Sequence, residues 1–435
     1  MTRVDTGAGA GRRAVSLVPA LALLAAGWGV TFFIGPFNDE SVTDLPLYSD
    51  YASIFLDGAL PFRDVAFEYP PLAAPVIAVS GLAGGTASYR LAFAVLTFLF
   101  AVATVCLCGE LARVTGGDRA RAMLAAGAAP LLCGAMIRTH FDLVPVVLTL
   151  AALASLCAGR PRAGLALLGV GAAVKLYPLV VVPVVLAWLV SRGQRRAAVE
   201  GTAVLVVVVL VVYGVALALS PGGVRDSLTY HAERPVQVES SPAVVLRALD
   251  SVGAGQATPD DGHRSDGLDH PGSGFVTALF AALMAAAIAL LALGATKRRG
   301  GDPPGPRALV VAGLGATVAF AAFGKVLSPQ FLIWVLPLFA LAVAWRMPAL
   351  AIASALAMVL TLVEFPANYQ GVVDREPWAL VLVAVRDATL VAVVALALRA
   401  LGGGATSARC PAAPAPESAR SRWRGRHRRP RPAPR

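Results

Sequence analysis

The sequence predicts an all-α, polytopic integral membrane protein with about 12 transmembrane helices. Hydrophobic residues make up 57% of the 435 residues and charged residues only 14%, with a mean hydropathy of +0.70. In soluble domains roughly a quarter of all residues are charged. The apolar runs are long and do not alternate with polar residues, as the stretch TAVLVVVVLVVYGVALAL at 202–219 shows. Helices are therefore expected rather than the strands of a membrane barrel.

The first apolar segment, 14–34, follows Arg12 and Arg13. It is longer than the roughly 7–15-residue core of a cleaved signal, so we predict an uncleaved first helix. The further apolar segments are 89–112, 122–137, 141–158, 162–174, 176–191, 197–219, 274–296, 308–324, 330–345, 348–365 and 377–400. Several are shorter than the roughly 20 residues that span a bilayer. The short run 71–86 is interfacial, re-entrant or a further crossing.

Two sets of loops alternate between these segments. The basic loops contain Arg12 and Arg13, Arg113 to Arg121, 159–162, 191–196, 297–307, Arg346 and the C-terminal tail. The other loops, called the mixed loops because as a set they carry both signs of charge, are 38–70, 138–143, 175–178, 220–273, 325–330 and 364–377. Basic loops remain in the cytoplasm. We therefore predict a plasma-membrane protein with both termini cytoplasmic and the mixed loops outside.

Two stretches have the composition of unstructured chain. Residues 250–273, within the long outer loop 220–273, are polar and glycine-rich, as in a flexible linker. Residues 402–435 are rich in Ala, Pro and Arg, as in a disordered cytoplasmic tail. Residues 1–401 are predicted to form the transmembrane domain. The net charge of +11 lies largely in the tail and the basic loops, so no nucleic-acid partner is predicted.

Polar side chains at helix ends gather in the mixed loops. Lys175 and Lys325 are notable, because lysines facing outward oppose the usual distribution of charge. Ionisable groups at a membrane are costly and usually functional. Carboxylates beside cations suit a reaction in which a hydroxyl loses a proton to a carboxylate while a phosphate leaves against a cation. Transfer of a sugar from a polyprenyl-phosphate donor requires both.

Five short motifs in the mixed loops carry a resemblance to a known family. They are TDLPLYSDYASIFLDGALPFRDVAFEYPPLA (43–73), RTHFDLVPVVLTLAAL (138–153), AAVKLYPLVVVP (172–183), YHAERPVQVESSPA (230–243) and KVLSPQFLIWVLPL (325–338). Over about residues 14–400 the chain resembles the polyprenol-phosphate-mannose-dependent mannosyltransferases of the GT-C superfamily, especially the actinobacterial α-mannosyltransferases. The resemblance implies a GT-C fold, a mannosyl donor, an inverted α linkage and an acidic base in the first outer loop, matched here by Asp44.

The candidate site residues follow from these motifs. Asp44 is the candidate base, although Asp39, Glu40 and Asp50 lie near it in sequence. The candidate ligands of the donor phosphate are Lys175, Arg138 and Lys325. The candidate substrate-binding residues are Glu68, His140, Asp142, Tyr177, His231, Glu233, Arg234 and Gln330. The predicted partners are the polyprenyl-phosphate sugar, a lipid or glycan acceptor, and membrane lipid.

Each candidate also has a structural interpretation. Asp44 could cap the short amphipathic helix predicted at 46–57. Glu68 could pair with Arg63 in a turn that the following prolines fix. Arg138 and Asp142 are spaced to form a salt bridge on one helix face. Lys175 and Lys325 could be snorkelling side chains.

No cofactor is predicted, because a metal site would need more ligands than His140 and Asp142. The rival function is a polytopic transporter or lipid flippase. That class places ionisable residues near the middle of the membrane, often in two symmetric halves. Here the polar groups collect at one side, which favours the glycosyltransferase.

Overall fold

The computed structural model describes residues 7–298 and 300–402, with side chains described from Leu17 onward. The first half of the chain forms α1 (Gly7–Phe33), α2 (Leu45–Leu56), α3 (Ala73–Ala78), α4 (Thr86–Val114), α5 (Arg119–Gly127), α6 (Ala129–Cys133), α7 (Met136–Thr139), α8 (Leu143–Cys157), α9 (Pro161–Val174) and α10 (Val182–Ser191). The second half forms α11 (Arg195–Leu219), α12 (Pro221–Glu233), α13 (Ser241–Ser251), α14 (Ser273–Ala295), α15 (Pro306–Phe323), α16 (Leu336–Ala344), α17 (Pro348–Glu364), α18 (Tyr369–Val373) and α19 (Pro377–Gly402).

The predicted all-α, multi-pass membrane architecture is confirmed. In the described part of the chain, five helices are long and apolar enough to cross a membrane: α4, α11, α14, α15 and α19. In α11 only 11% of the most apolar 18-residue window is buried, and in α14 only 22%, so both helices expose apolar side chains suited to lipid. The number of crossings and the orientation of the chain stay predictions.

Some predicted apolar segments are broken helices. Segment 122–137 divides into α5, α6 and α7, and Gly134 takes a φ of +56° between the last two, which favours glycine. Segments 176–191 and 330–345 each begin with a 3-10 turn, Tyr177–Val181 and Pro329–Trp334, before the α-helix continues. Prolines lie in both turns, where the missing N–H groups cost no helical hydrogen bond. These breaks explain why the segments are short.

The run 71–86 forms α3 and a 3-10 turn at Val79–Ala83 and packs against α2. Its apolar part, Ala73–Ala83, would be about 16 Å long even as an α-helix, roughly half the bilayer core. It is therefore shorter than a helix that spans the bilayer. Its first residues contact the membrane bundle, because the Leu72 N–H donates to the carbonyl of Ala173 at 2.8 Å.

The basic loops meet at one end of the bundle. Arg192 donates to the carbonyl of Pro304 at 2.7 Å, and Arg307 to that of Thr115 at 3.0 Å. Since α8, α9 and their neighbours each connect a basic loop to a mixed loop, the mixed loops lie at the other end. The division of the loops into two groups is thus visible in their contacts.

Residues 250–273 were predicted to form a flexible linker, and this prediction is wrong. They contribute β2 (Thr258–Asp260) and β3 (Gly267–Asp269) to an antiparallel sheet in which β3 lies between β2 and β1 (Val236–Gln237). Leu268 is buried against residues of α13 and α14. A few buried apolar residues suffice to fix a segment whose composition is otherwise polar. The predicted disordered tail, 402–435, lies outside the described residues beyond Gly402.

Candidate active site

A cavity of about 570 Å³ opens where the mixed loops meet. Predicted site residues from all five motifs line its wall: Asp44, Glu68, His140, Lys175, Tyr177, His231, Arg234, Lys325 and Gln330. The fold therefore brings together residues up to nearly three hundred positions apart. Arg138, Asp142 and Glu233 are not part of this wall.

Asp44 precedes α2, the position expected of a cap, but its carboxylate caps no backbone N–H. Instead it accepts a hydrogen bond from the Tyr48 hydroxyl at 3.1 Å and lies 3.7 Å from Nε2 of His140. The His140 ring is buried, with Nδ1 held 3.0 Å from the Thr139 hydroxyl and 3.3 Å from the Met136 carbonyl. The side chain of Asp44 is 37% exposed, so the carboxylate faces the cavity while its neighbours are fixed.

Glu68 does not pair with Arg63, which corrects the predicted turn. Arg63 forms its ion pair with Asp64 on the surface. Glu68 instead accepts a hydrogen bond from the Tyr51 hydroxyl at 2.6 Å and lies 3.6 Å from Arg264 in the sheet segment. Burial, together with this hydrogen bond, raises the pKa of Tyr51, so the phenol stays a donor. Glu68 thus connects the first loop to the sheet above the cavity.

Lys175 is paired with Asp142, which corrects the predicted Arg138–Asp142 bridge. Lys175 Nζ donates to Asp142 Oδ1 at 2.7 Å, and the indole N–H of Trp334 donates to the same oxygen at 2.7 Å. Three aromatic rings, including Trp334, lie 5.1–5.5 Å from the ammonium, a range in which cation–π attraction acts. Tyr177 stacks on Trp334 with ring centroids 4.0 Å apart.

Arg138 lies away from the cavity. Its buried guanidinium donates to the Thr31 carbonyl at 2.7 Å and to the Asn38 side chain at 2.9 Å, and it forms an ion pair with Glu40. These contacts use its donors and tie α1 to the first loop, so this structure gives no support to a phosphate role. Glu233 is exposed on α12.

Arg234 and Lys325 are cations without a carboxylate partner in the described part of the chain. Arg234 donates to the Ser265 hydroxyl at 3.1 Å, and Lys325 to the carbonyl of Ala232 at 2.7 Å. Burial and the charge of Arg234 lower the pKa of Lys325, as expected for neighbouring cations with no anion between them. Both line the cavity, and their charges make this part of the wall a candidate anion site.

His231 and Tyr230 fasten α12 to the other loops. His231 Nε2 lies 2.6 Å from the Glu68 carbonyl, and burial lowers the pKa of His231. The hydroxyl of Tyr230 donates to the carbonyl of His263 in the sheet segment. The helix therefore closes one side of the cavity through its last turn.

Further wall residues were not predicted. The sheet segment brings in Arg264 and Asp266, and Asp266 accepts a hydrogen bond from Tyr369 at 2.6 Å. Gln237 lies on β1, and Trp334 ends the 3-10 turn before α16. The motif containing Gln237 and the indole of Trp334 were visible in the sequence, but the sheet that brings in Arg264 was not. No group of three or more His, Cys, Asp or Glu residues in 7–298 or 300–402 is arranged to hold a metal ion.

Fold and site define a multi-pass membrane protein with a cavity at one end of its helices, where a carboxylate and two unpaired cations face the same space. Residues 67–329, more than half of the chain, match the model of glycosyltransferase family 87. The chain belongs to this family and is a membrane glycosyltransferase.

Solved structures of ArnT from Cupriavidus metallidurans are similar to the chain at low identity. The crystal structure bound to undecaprenyl phosphate shows 18% identity, a TM-score of 0.41, and coverage of 91% of this chain and 77% of that one. The structure in the apo state shows 18% identity, a TM-score of 0.40 and the same coverage. No curated protein matches the chain.

Proposed function

We propose that this GT-C-type enzyme transfers a hexose from a polyprenyl-phosphate sugar to a lipid or glycan acceptor at the outer face of the membrane. The proposed hexose is mannose. One observation carries the proposal: the unpaired cations Arg234 and Lys325 and the carboxylate of Asp44 line a single cavity. The cations suit a phosphate and the carboxylate suits a hydroxyl that must lose a proton. The family assignment favours this reaction over a transporter or flippase.

Asp44 is the proposed general base. Its carboxylate takes the proton of an acceptor hydroxyl, and the hydroxyl oxygen bonds to the anomeric carbon of the donor sugar. The bond between that carbon and the phosphate oxygen breaks, so the polyprenyl phosphate leaves with the electron pair. Attack opposite the leaving group inverts the anomeric carbon and makes an α linkage from a β-linked donor. The ring of His140, whose Nε2 lies 3.7 Å from the Asp44 carboxylate, helps to hold that carboxylate in place.

The donor phosphate is proposed to bind Arg234 and Lys325. The negative charge on the phosphate increases as its bond to the sugar breaks. Preorganised cations stabilise this charge in the transition state. Lys175 lies on the same wall, but its ammonium already has Asp142 as a partner. Lys325 is therefore the proposed phosphate ligand and Lys175 supports the wall, whereas Arg138 is held by Thr31, Asn38 and Glu40 away from the cavity.

An apolar arm of the cavity is the proposed site of the polyprenyl chain. Ala281 and Met284 on α14 and Phe320 and Phe323 on α15 line this arm. Helix α14 is also one of the two helices that expose most of their apolar surface. A lipid tail leaving the cavity here would pass from the anion site to the bilayer without crossing polar loops.

The test is sugar transfer by the full chain in vesicles with radiolabelled polyprenyl-phosphate mannose and an extract of membrane lipids and glycans as acceptors. Label should move to a lipid or glycan product, and the glucose and galactose donors should react more slowly. Absence of transfer from every donor overturns the function. A faster reaction with glucose or galactose overturns the assignment of mannose.

A further inference from the structure

A group of four ionisable side chains is buried beside the cavity. Arg386 and Asp387 lie within α19, Glu364 is the last residue of α17, and Glu239 follows β1. None is more than 3% exposed. The guanidinium of Arg386 contacts Asp387 at 2.6 Å and Glu364 at 3.2 Å, and it donates to the backbone carbonyl of Glu239 at 2.7 Å.

The group has three carboxyls for one guanidinium. Glu239 Oε1, both oxygens of Glu364 and Asp387 Oδ2 accept no hydrogen bond from the protein. An excess of buried, unpaired carboxylates is strongly unfavourable. No group of acidic residues in the described ranges is arranged to hold a metal ion. A proton between two of the carboxyls is the simplest way to supply the missing donor.

Asp387 is engaged with the guanidinium at 2.6 Å through Oδ1. Glu239 and Glu364, held beside the same guanidinium, keep carboxyl oxygens without a donor, so we assign the proton to these two. Burial, and then the charge of Glu364, raise the pKa of Glu239 far above its ordinary value. The other charged or titratable groups that face the pair are Arg386, Asp387 and Tyr369. The Tyr369 hydroxyl already donates to Asp266, so it supplies no proton to the pair.

Strand β1 connects this pair to the anion site. Gln237 donates from its side chain to Glu239 Oε2 at 3.0 Å and from its backbone N–H to the carbonyl of Lys325 at 3.0 Å. Arg234 lies just before the same strand. Both cations of the anion site are thus attached to a segment whose far end is fixed by Glu239.

We propose that Glu239 and Glu364 share one proton and that this acid pair, held by Arg386, positions Arg234 and Lys325 for the donor phosphate. The proposal deepens the proposed function and rests on it. Loss of the shared proton leaves two adjacent carboxylates, whose repulsion displaces Glu239 and with it β1. Affinity for a polyprenyl phosphate then decreases at alkaline pH. We assign both as positioning residues: Glu239 lines the cavity, but its proposed role acts through Gln237 and β1.

Infrared spectroscopy tests the shared proton without any substrate. At neutral pH the wild-type protein should show the carbonyl band of a protonated carboxyl. Difference spectra should show that this band is lost in Glu239→Gln and in Glu364→Gln. A band that persists unchanged in both variants, or is absent from wild type, overturns the proposal.

Binding of undecaprenyl phosphate to the full chain in detergent tests the positioning. From pH 7 to pH 9 the affinity of wild type should weaken about tenfold more than that of Glu364→Gln. The amide of the variant donates to Glu239 at every pH, and both proteins keep Lys325, whose own titration therefore cancels. Glu239→Gln should behave like Glu364→Gln and replaces it if that variant does not fold.

The outcomes separate the two hypotheses. Equal alkaline weakening in wild type and in the folded glutamine variant overturns the positioning role, even if the enzyme transfers sugar. A protein that shows the expected pH difference but transfers no sugar overturns only the proposed function. A wild type that does not bind undecaprenyl phosphate overturns both.

Discussion

The ammonium of Lys175 lies 2.7 Å from the carboxylate of Asp142, and both side chains are largely withdrawn from solvent, at 15% and 0% exposure. Lys175 follows the end of α9, and Asp142 precedes α8. Trp334 donates to the same carboxylate oxygen from the turn before α16. One buried oxygen therefore connects three elements of the cavity wall. Its loss should lower the free energy of unfolding more than it lowers the rate of catalysis.

Replacing Asp142 with alanine should destabilise the protein by about 3–5 kcal/mol, because it leaves a buried cation without its partner. Asp142→Asn keeps an acceptor for the Trp334 indole and should lose less. The measurement is the free energy of unfolding in detergent. Arg63→Ala is the control, since the ion pair of Arg63 with Asp64 is on the surface and its loss should change the free energy of unfolding very little. Equal stability of Asp142→Ala and the control would show that the buried pair is not stabilising.

Replacing Asp44 with asparagine should lower kcat by about 10²–10⁴-fold, the usual contribution of a general base. The KM for the donor should change little, because Asp44 is not a phosphate ligand. The matched control is Asp50→Asn on the exposed face of the same helix. Initial rates of transfer from a labelled donor give both constants. If Asp44→Asn transfers sugar as fast as Asp50→Asn, the base must be a different residue.

Lys325→Met and Arg234→Gln should each weaken donor binding by roughly 10–100-fold, since a hydrogen bond to a charged group contributes about 1.5–3 kcal/mol. Arg225→Gln is the control, because Arg225 is an exposed arginine of α12 outside the cavity. Titration with undecaprenyl phosphate measures the effect. Unchanged affinity in both cavity variants would remove the anion site.

Besides the acid pair, Lys325 should contribute to the pH dependence of that affinity. Burial and Arg234 lower its pKa, so the ammonium is lost at a lower pH than the roughly 10.4 of an ordinary lysine. Only the protonated form attracts the phosphate, and binding therefore weakens as the pH rises. Lys325→Arg keeps its charge and should retain affinity to higher pH than wild type. An identical alkaline profile in the two proteins would contradict this assignment.

The sheet segment should be folded in solution. Amide hydrogens of β3 that pair with β1 and β2 should exchange slowly, because they are hydrogen-bonded and Leu268 beneath them is buried. Arg264→Ala removes the contacts with Tyr51 and Glu68 and should speed exchange in this segment without affecting α13. Hydrogen exchange with mass spectrometry measures this. If β3 exchanged at the rate of an unstructured peptide, the segment would instead be the flexible loop that its composition predicts.

Much of the helical framework was predictable, because membrane helices are determined by local hydropathy. The segment predicted at 197–219 is α11 at Arg195–Leu219, and that predicted at 274–296 is α14 at Ser273–Ala295. Charge patterns along the chain also grouped the loops, and the mixed loops do contribute Asp44, Lys175 and Lys325 to one cavity. Each of these features depends on neighbours in sequence.

The pairing of charges was not predictable from the sequence. Spacing suggested that Arg138 would pair with Asp142, but Arg138 pairs with Glu40 and Asp142 with Lys175. The proximity of Arg386 to Glu364 likewise depends on the packing of α17 against α19. An ion pair needs only a short distance, and the distance between helix ends is decided by packing rather than by separation along the chain.

Hydropathy and charge act locally, so a helical membrane protein whose polar side chains collect at one end could be inferred from residue order alone. Which of these side chains are already paired, and which face the cavity unpaired, depends on packing in three dimensions. Lys175 and Lys325 look alike in the sequence, but the packing around Trp334 gives Lys175 a carboxylate and leaves Lys325 beside Arg234. Only the fold therefore distinguishes Lys175, which stabilises the cavity wall through an ion pair, from Lys325, which has no carboxylate partner among the described residues.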